Sequence, residues 1–300
     1  MLLQLLFYKI IISNMTGRNY QMFALKSMPP VLLRAAFGDY SLEKVFKHDF
    51  WAATCLYKNA GKISTLAPGR IVVKFSRNHN FMGLPISQVG SWLTNREYLA
   101  YRQLAGVQGI PKLIGRISEY AFAIEFIENA KPLDHFETAP AGFFDKLRKI
   151  YEAVHNAGLA YVDANKRSNV LVTKQGDPIL IDFQISALRP AKYNPFAFAQ
   201  RGIIKYFQRK DIYHFLKHKI KMNPDDITDA ERDEYKKPSG LHRLHRKIIR
   251  PYKKIRRQFL SKRQKKGLLI SPTELLETHY QPEKQTWSEN AQKVAQQISE

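Results

Sequence analysis

Four polar residues occupy two short gaps between apolar runs. "GLAYVDANKRSNVLV" carries Asp163, Lys166 and Asn169, and "LIDFQIS" carries Asp182. A loop carboxylate such as Asp163 can accept a proton from a hydroxyl nucleophile. Lys166 can neutralise charge on a transferring phosphoryl group. Asn169 offers Mg²⁺ a neutral oxygen, and Asp182 offers the same metal a hard anionic one. Each of these alone reads equally as a solvated loop residue or a cap. Their order along the chain is what points to phosphoryl chemistry.

The elements that must position them can be read from periodicity and turn residues. "VFKHDFWAATCLYKN" and the β-branched "IVVKFS" read as strands around a turn at Gly61, and the second places Lys74 near a strand end. A lysine there would ordinarily run its stem out to solvent. "LTNREYLAYRQLAG" reads as a helix capped by Thr94 or Asn95, ended by Gly106 and carrying Glu97. "KLIGRI" and "YAFAIEFIE" read as strands. In "FFDKLRKIYEAVHNAG", Phe143, Leu147, Ile150, Tyr151 and Val154 share one helical face. "NVLV" and "PILI" are short strands joined by a turn, and "DIYHFLKHKI" is amphipathic. A sheet with one helix, a hinge and then a largely helical half predicts an α+β chain of two lobes. The expected divisions are an N-terminal extension (1–38), an N-lobe (39–129), a C-lobe (130–235) and a basic C-terminal region (236–300).

With these residues in place the chain resembles the protein-kinase-like superfamily, nearer its small atypical bacterial and RIO-type members than ordinary protein kinases. "HNAGLAYVD" has the helix-end histidine, the glycine and an aspartate at catalytic-loop spacing. "NKRSN" keeps a lysine three residues before an asparagine, and Asn169 and Asp182 stand at the usual separation of the two metal-binding residues. The resemblance implies that Lys74, held by Glu97, positions the phosphates of ATP. It also implies that the stretch with Glu125 and Ile127 forms the adenine-binding hinge, that Asn169 and Asp182 hold Mg²⁺, and that Asp163 and Lys166 are catalytic. Asp211, in "RKDIYHFLKHK", falls where a helix aspartate braces the catalytic loop; a helix-start acid favoured by the helix dipole is the plain alternative. His214 and His218 have metal-compatible i,i+4 spacing but no evident third ligand, so a solvated basic face is expected there.

Several features depart from the family pattern. The glycine-rich loop is absent, and "FKHDFWAAT", with Lys47 and His48, takes its place. Tyr161 and Val162 replace the usual His-Arg. One extra residue separates Asp163 from Lys166, and counting back from Lys166 would put Ala164 at the base position. Alanine cannot serve, so Asp163 is expected as the base with the loop bulged. Gln184 replaces the glycine of Asp-Phe-Gly, and no Ala-Pro-Glu motif follows.

Composition bounds the partners. The chain has 48 Lys plus Arg against 26 Asp plus Glu, net +22, which implies attraction to something anionic. Residues 236–273 contain no acid. Within them Leu241, Leu244, Ile248, Tyr252, Ile255 and Phe259 fall at helical spacing, so the segment suits an anionic membrane surface or glycolipid, or else RNA. Packing of that apolar stripe on the core is the plainer reading. The single cysteine, Cys55, excludes an intramolecular disulfide framework, implies no disulfide-linked partner and fits a reducing compartment. "MLLQLLFYKIII" is shorter than the ~20 residues of a spanning helix and lacks a basic leader. It reads as a packed segment, or as an extension before a start at Met15. The expected function is a kinase acting on a glycolipid sugar or a Ser/Thr protein hydroxyl, in the cytoplasm or peripheral at the inner membrane. The competing expectation is a catalytically weak pseudokinase scaffold whose basic tail docks on membrane or RNA.

Overall fold

The computed structural model describes residues 23–61, 67–81, 83–189 and 197–236. The apolar N-terminal stretch and the basic segment beyond residue 236 lie outside them. The first half is a six-stranded antiparallel sheet in the order β1-β2-β3-β4-β6-β5: β1 (Leu32–Ala35), β2 (Gly38–His48), β3 (Ala52–Asn59), β4 (Arg70–Ser76), β5 (Leu113–Ser118) and β6 (Ala121–Glu125). Helix α1 (Ile86–Gln103) lies between β4 and β5 in the chain.

Side chains alternate across a strand, so each face of the sheet gets its own set. Val45, Cys55, Val73 and Ala123 are opposite one another on successive strands, and all are buried in an outer core with Tyr40, Tyr57, Ile71 and Phe75. The other face carries Val72, Ile124 and Phe122, which pack with Tyr98 and Tyr101 of α1. Lys74 stands on this inner face, opposite Phe122, so its ammonium faces the second half of the molecule.

The second half holds α2 (Phe143–Asn156), α3 (Ala197–Met222), α4 (Asp229–Lys236) and short strands. β7 (Lys131–Pro132), β9 (Val170–Val172) and β10 (Pro178–Leu180) form one small sheet, and β8 (Leu159–Ala160) pairs with β11 (Ala187–Leu188). The expected apolar face of α2 is fully buried, joined by Phe144. One cluster runs from Ala100 and Tyr101 of α1 and Leu104 just past its end through Tyr161 and Phe183 to Phe215 and Leu216 of α3. Burying each such Leu or Phe is worth roughly 1.5–3 kcal/mol, so the lobes share a core. The expected α+β, two-lobed architecture is present.

The start of α1 differs from expectation. The helix begins two turns before Thr94, after Pro85, and Thr94 is interior, its hydroxyl donating to the Gly90 carbonyl at 3.1 Å. Gly90 disguises this start because glycine normally weakens a helix. Here it permits close packing: a Cβ at Gly90 would meet the Arg77 carbonyl oxygen at 1.9 Å.

Candidate active site

Lys74 joins the two halves. Its Nζ lies 2.5 Å from Glu97 Oε1 on α1 and 2.8 Å from Asp182 Oδ1 on the loop after β10. Lys74 and Glu97 are almost wholly enclosed. Burial pushes the ammonium down, but Asp182 and Glu97 together outweigh it and raise the Lys74 pKa. Burial also pushes Asp182 up, yet the ammoniums of Lys74 and Lys47 hold its carboxyl well below the usual range. For Glu97 burial wins over Lys74, and its carboxyl is pushed up to about 7. Asp182 is therefore the firmer anionic partner. The Phe183 amide donates to Glu97 Oε1 at 3.1 Å, and the Asp182 amide donates to the Tyr101 hydroxyl at 3.3 Å, so α1 fixes this loop twice. Arg96 adds a third tie, its Nε donating to the Ser186 carbonyl at 2.8 Å.

Asp163, Lys166 and Asn169 gather in the loop between β8 and β9. Asn169 donates its amide to Asp163 Oδ2 at 3.0 Å, and Lys166 Nζ lies 2.6 Å from the same oxygen. The extra residue is taken up in a turn closed by the Lys166 amide on the Asp163 carbonyl at 3.0 Å. Ala164, buried in that turn, carries no acid-base chemistry.

Backbone strain here has an identifiable brace. Val162 has φ +74°, a left-handed conformation that is costly for a β-branched residue. Asp211 Oδ1 accepts from the Val162 amide at 2.8 Å and Oδ2 from the Tyr161 amide at 2.7 Å. Nε2 of His155 approaches Oδ2 at 3.1 Å. Asp211 is interior to α3, a full three turns past its start, so it braces the loop and is no helix-start acid. Tyr161, where the family pattern has histidine, stacks edge-on against Phe183 at 5.2 Å, and Phe183 against Tyr101 at 5.2 Å. Its hydroxyl donates to the Ile181 carbonyl. Residues 161–163 and 181–183 are thus held together as one aromatic-backed unit.

Glu125 ends β6; its carboxylate accepts from the Lys112 amide at 3.1 Å, and its own amide donates to the Lys112 carbonyl at 2.8 Å. Ile127 follows in the connection between the lobes, half-buried, beside Phe126, which stacks on Phe46 at 6.3 Å. His218 points Nε2 to the Ala164 carbonyl at 3.2 Å. Among the described residues no group of three or more His, Cys, Asp or Glu could hold a metal. The Asp182 carboxylate and the Asn169 amide oxygen are the oxygen donors that could hold Mg²⁺, an ion that fills the rest of its coordination with phosphate and water oxygens.

The β2–β3 hairpin was legible only as a missing glycine loop. Its tip, Asp49 to Trp51, is pinned. Asp49 Oδ1 accepts from the Trp51 and Ala52 amides at 2.8 and 3.0 Å, and the Ala24 amide donates to the Asp49 carbonyl at 2.8 Å. Buried Arg77 donates to the carbonyls of Phe50 (3.1 Å), Phe23 (3.0 Å) and His79 (3.1 Å), with its guanidinium 4.1 Å from the Phe50 ring centroid.

No protein-family model matches the chain, and no curated protein matches it. Among solved structures it is similar to the Rio2 kinase from Chaetomium thermophilum, at 15% identity and a TM-score of 0.43 over 66% of this chain. It is also similar to the ADP/Mg²⁺-phosphoaspartate complex of that kinase, at 16% identity and a TM-score of 0.41. The matches span 62% and 61% of those solved chains. The fold rests on the chain's own topology and contacts: an antiparallel N-terminal sheet with one packed helix, a helical second half, and a buried lysine bridging a helix glutamate and a loop aspartate. It is a two-lobed, protein-kinase-like fold.

Proposed function

We propose that the protein is an ATP- and Mg²⁺-dependent phosphotransferase that moves the γ-phosphoryl group to a hydroxyl. The observation that carries this reading is the convergence of Lys74, Glu97 and Asp182, from a strand, a helix and a loop, on one buried ammonium. An enclosed cation with two acidic partners carries a desolvation cost, and a fixed ammonium beside a carboxylate able to bind metal is the arrangement that positions phosphates. Asp182 and the Asn169 oxygen would hold the metal. Mg²⁺, when bound, neutralises charge on the phosphate oxygens.

The other residues divide the remaining work. Lys74 places the non-transferred phosphates. Asp163 accepts the acceptor's hydroxyl proton or orients that hydroxyl, its carboxylate held by Asn169. Lys166, now paired with Asp163, is within reach to stabilise charge on the transferred group. For the acceptor, an envelope glycolipid sugar is the reading we favour. Only residues 184–196 separate the Asp-Phe pair from α3, which leaves little chain for a protein-docking platform.

The test is turnover. Purified full-length protein with Mg²⁺-ATP should hydrolyse or transfer phosphate, and Asp163→Asn and Asp182→Asn should each lower the rate by at least about 100-fold. Nucleotide binding with no turnover, indifferent to Asp163→Asn, would replace the enzyme with a scaffold.

A further inference from the structure

The hairpin that replaces a glycine-rich loop cannot wrap phosphates with its backbone. Its tip is tied by Arg77 and by the Ala24 and Leu25 amides, the latter donating to His48 Nε2 at 3.1 Å. Yet it carries a cation at a defined place. Lys47 is opposite Thr54 on β3, and Thr54 is opposite Lys74 on β4, so the three form one row across the sheet. Directly opposed residues share a face, and strands are about 4.8 Å apart. Lys47 therefore overhangs the same cleft as Lys74, about 10 Å from it at the backbone.

A register shift produces this. Between Val45 and Lys47 the pairing slips, so that Val45 faces Cys55 and Lys47 faces Thr54, with Phe46 extra. Without the bulge Lys47 would turn into the outer core, because a one-residue slip exchanges the faces. The ammonium is half-exposed and pairs with Asp49 at 2.6 Å on the same hairpin. Its charge reaches Asp182, helping to keep that carboxyl ionised.

We propose that Lys47 is a phosphate-binding residue: its side chain caps the outer phosphates of a bound nucleoside triphosphate, in place of the backbone amides of a glycine loop, exchanging its partner Asp49 for phosphate. This rests on the nucleotide reading of the cleft. No bond is made or broken by Lys47; its part is electrostatic, at the end of the phosphate chain away from the adenine.

The two readings separate in a binding titration of full-length protein with ATP and with adenosine, in the presence of Mg²⁺. Lys47→Met should weaken ATP roughly tenfold or more, as for a lost charge-assisted contact, and leave adenosine within about twofold. Lys47→Arg should recover most of the ATP affinity, and Asp49→Asn, which frees the ammonium, should tighten ATP or leave it unchanged. Equal loss of ATP and adenosine in Lys47→Met, or ATP affinity unchanged, overturns the Lys47 assignment. Wild-type protein that binds neither ligand removes the nucleotide reading itself.

Discussion

At the residue scale, burial sets the protonation chemistry as much as charge does. His218 is packed against the loop between β8 and β9, where burial first and then the neighbouring Lys217 and Arg167 hold its imidazole down, to about 4 against an ordinary 6.5. Between those values the unfolded chain binds a proton that the folded chain refuses. Stability is therefore complete above about 6.5 and falls as the pH drops toward about 4. Denaturant melts of wild type and His218→Asn at pH 7 and pH 5 should show a smaller loss at pH 5 in the variant. An equal loss in both would mean that His218 is not the group responsible. Glu97 has the opposite sign: its carboxyl, raised to about 7, disfavours the fold as pH climbs from 4.5 toward 7. The Glu97–Lys74 ion pair therefore strengthens as the pH rises through neutrality.

At the element scale, α1 is the part that couples the lobes. It supplies Glu97 to Lys74, Tyr101 to the Asp182 amide and Arg96 to the Ser186 carbonyl. Its approach to the sheet depends on Gly90. Alanine usually strengthens a helix interior by roughly 0.5–1 kcal/mol relative to glycine. At this position the added methyl would strike the Arg77 carbonyl, so Gly90→Ala should destabilise by about 1–3 kcal/mol. Thermal melting checks it, and a raised midpoint would refute the close packing. Helical periodicity made the second half of α1 legible, but the capping chemistry of Thr94 or Asn95 moved the expected start two turns late. Strands β4 and β6 were legible as short β-branched or continuously apolar runs, and helix α2 by the helical period of its apolar residues. Lys47 was not, because its facing depends on a bulge that leaves no mark in the alternation.

At the scale of the whole molecule, two lobes share one aromatic-rich core, and the candidate chemistry lies along their seam. Asp163, Asn169 and Asp182 were legible as polar gaps between strands. The joining of Asp182 to Lys74, and of its loop to Glu97, is a long-range fact, visible beforehand only through resemblance. Asp211 shows the same limit. Its two bonds to the Tyr161 and Val162 amides connect segments far apart in the chain, so local sequence left brace and cap equally open. The net charge of +22 belongs to this scale as well, and supports attraction of an anionic acceptor or surface.

The most direct test of the central claim is a crystal structure of the full chain with a non-hydrolysable ATP analogue and Mg²⁺. Phosphates should lie within hydrogen-bond reach of Lys74 Nζ, with the metal bound by Asp182 and the Asn169 oxygen and Asp163 facing the γ-phosphate from the acceptor side. A nucleotide seated elsewhere, or a metal that leaves Asp182 uncoordinated at saturating ligand, would contradict it.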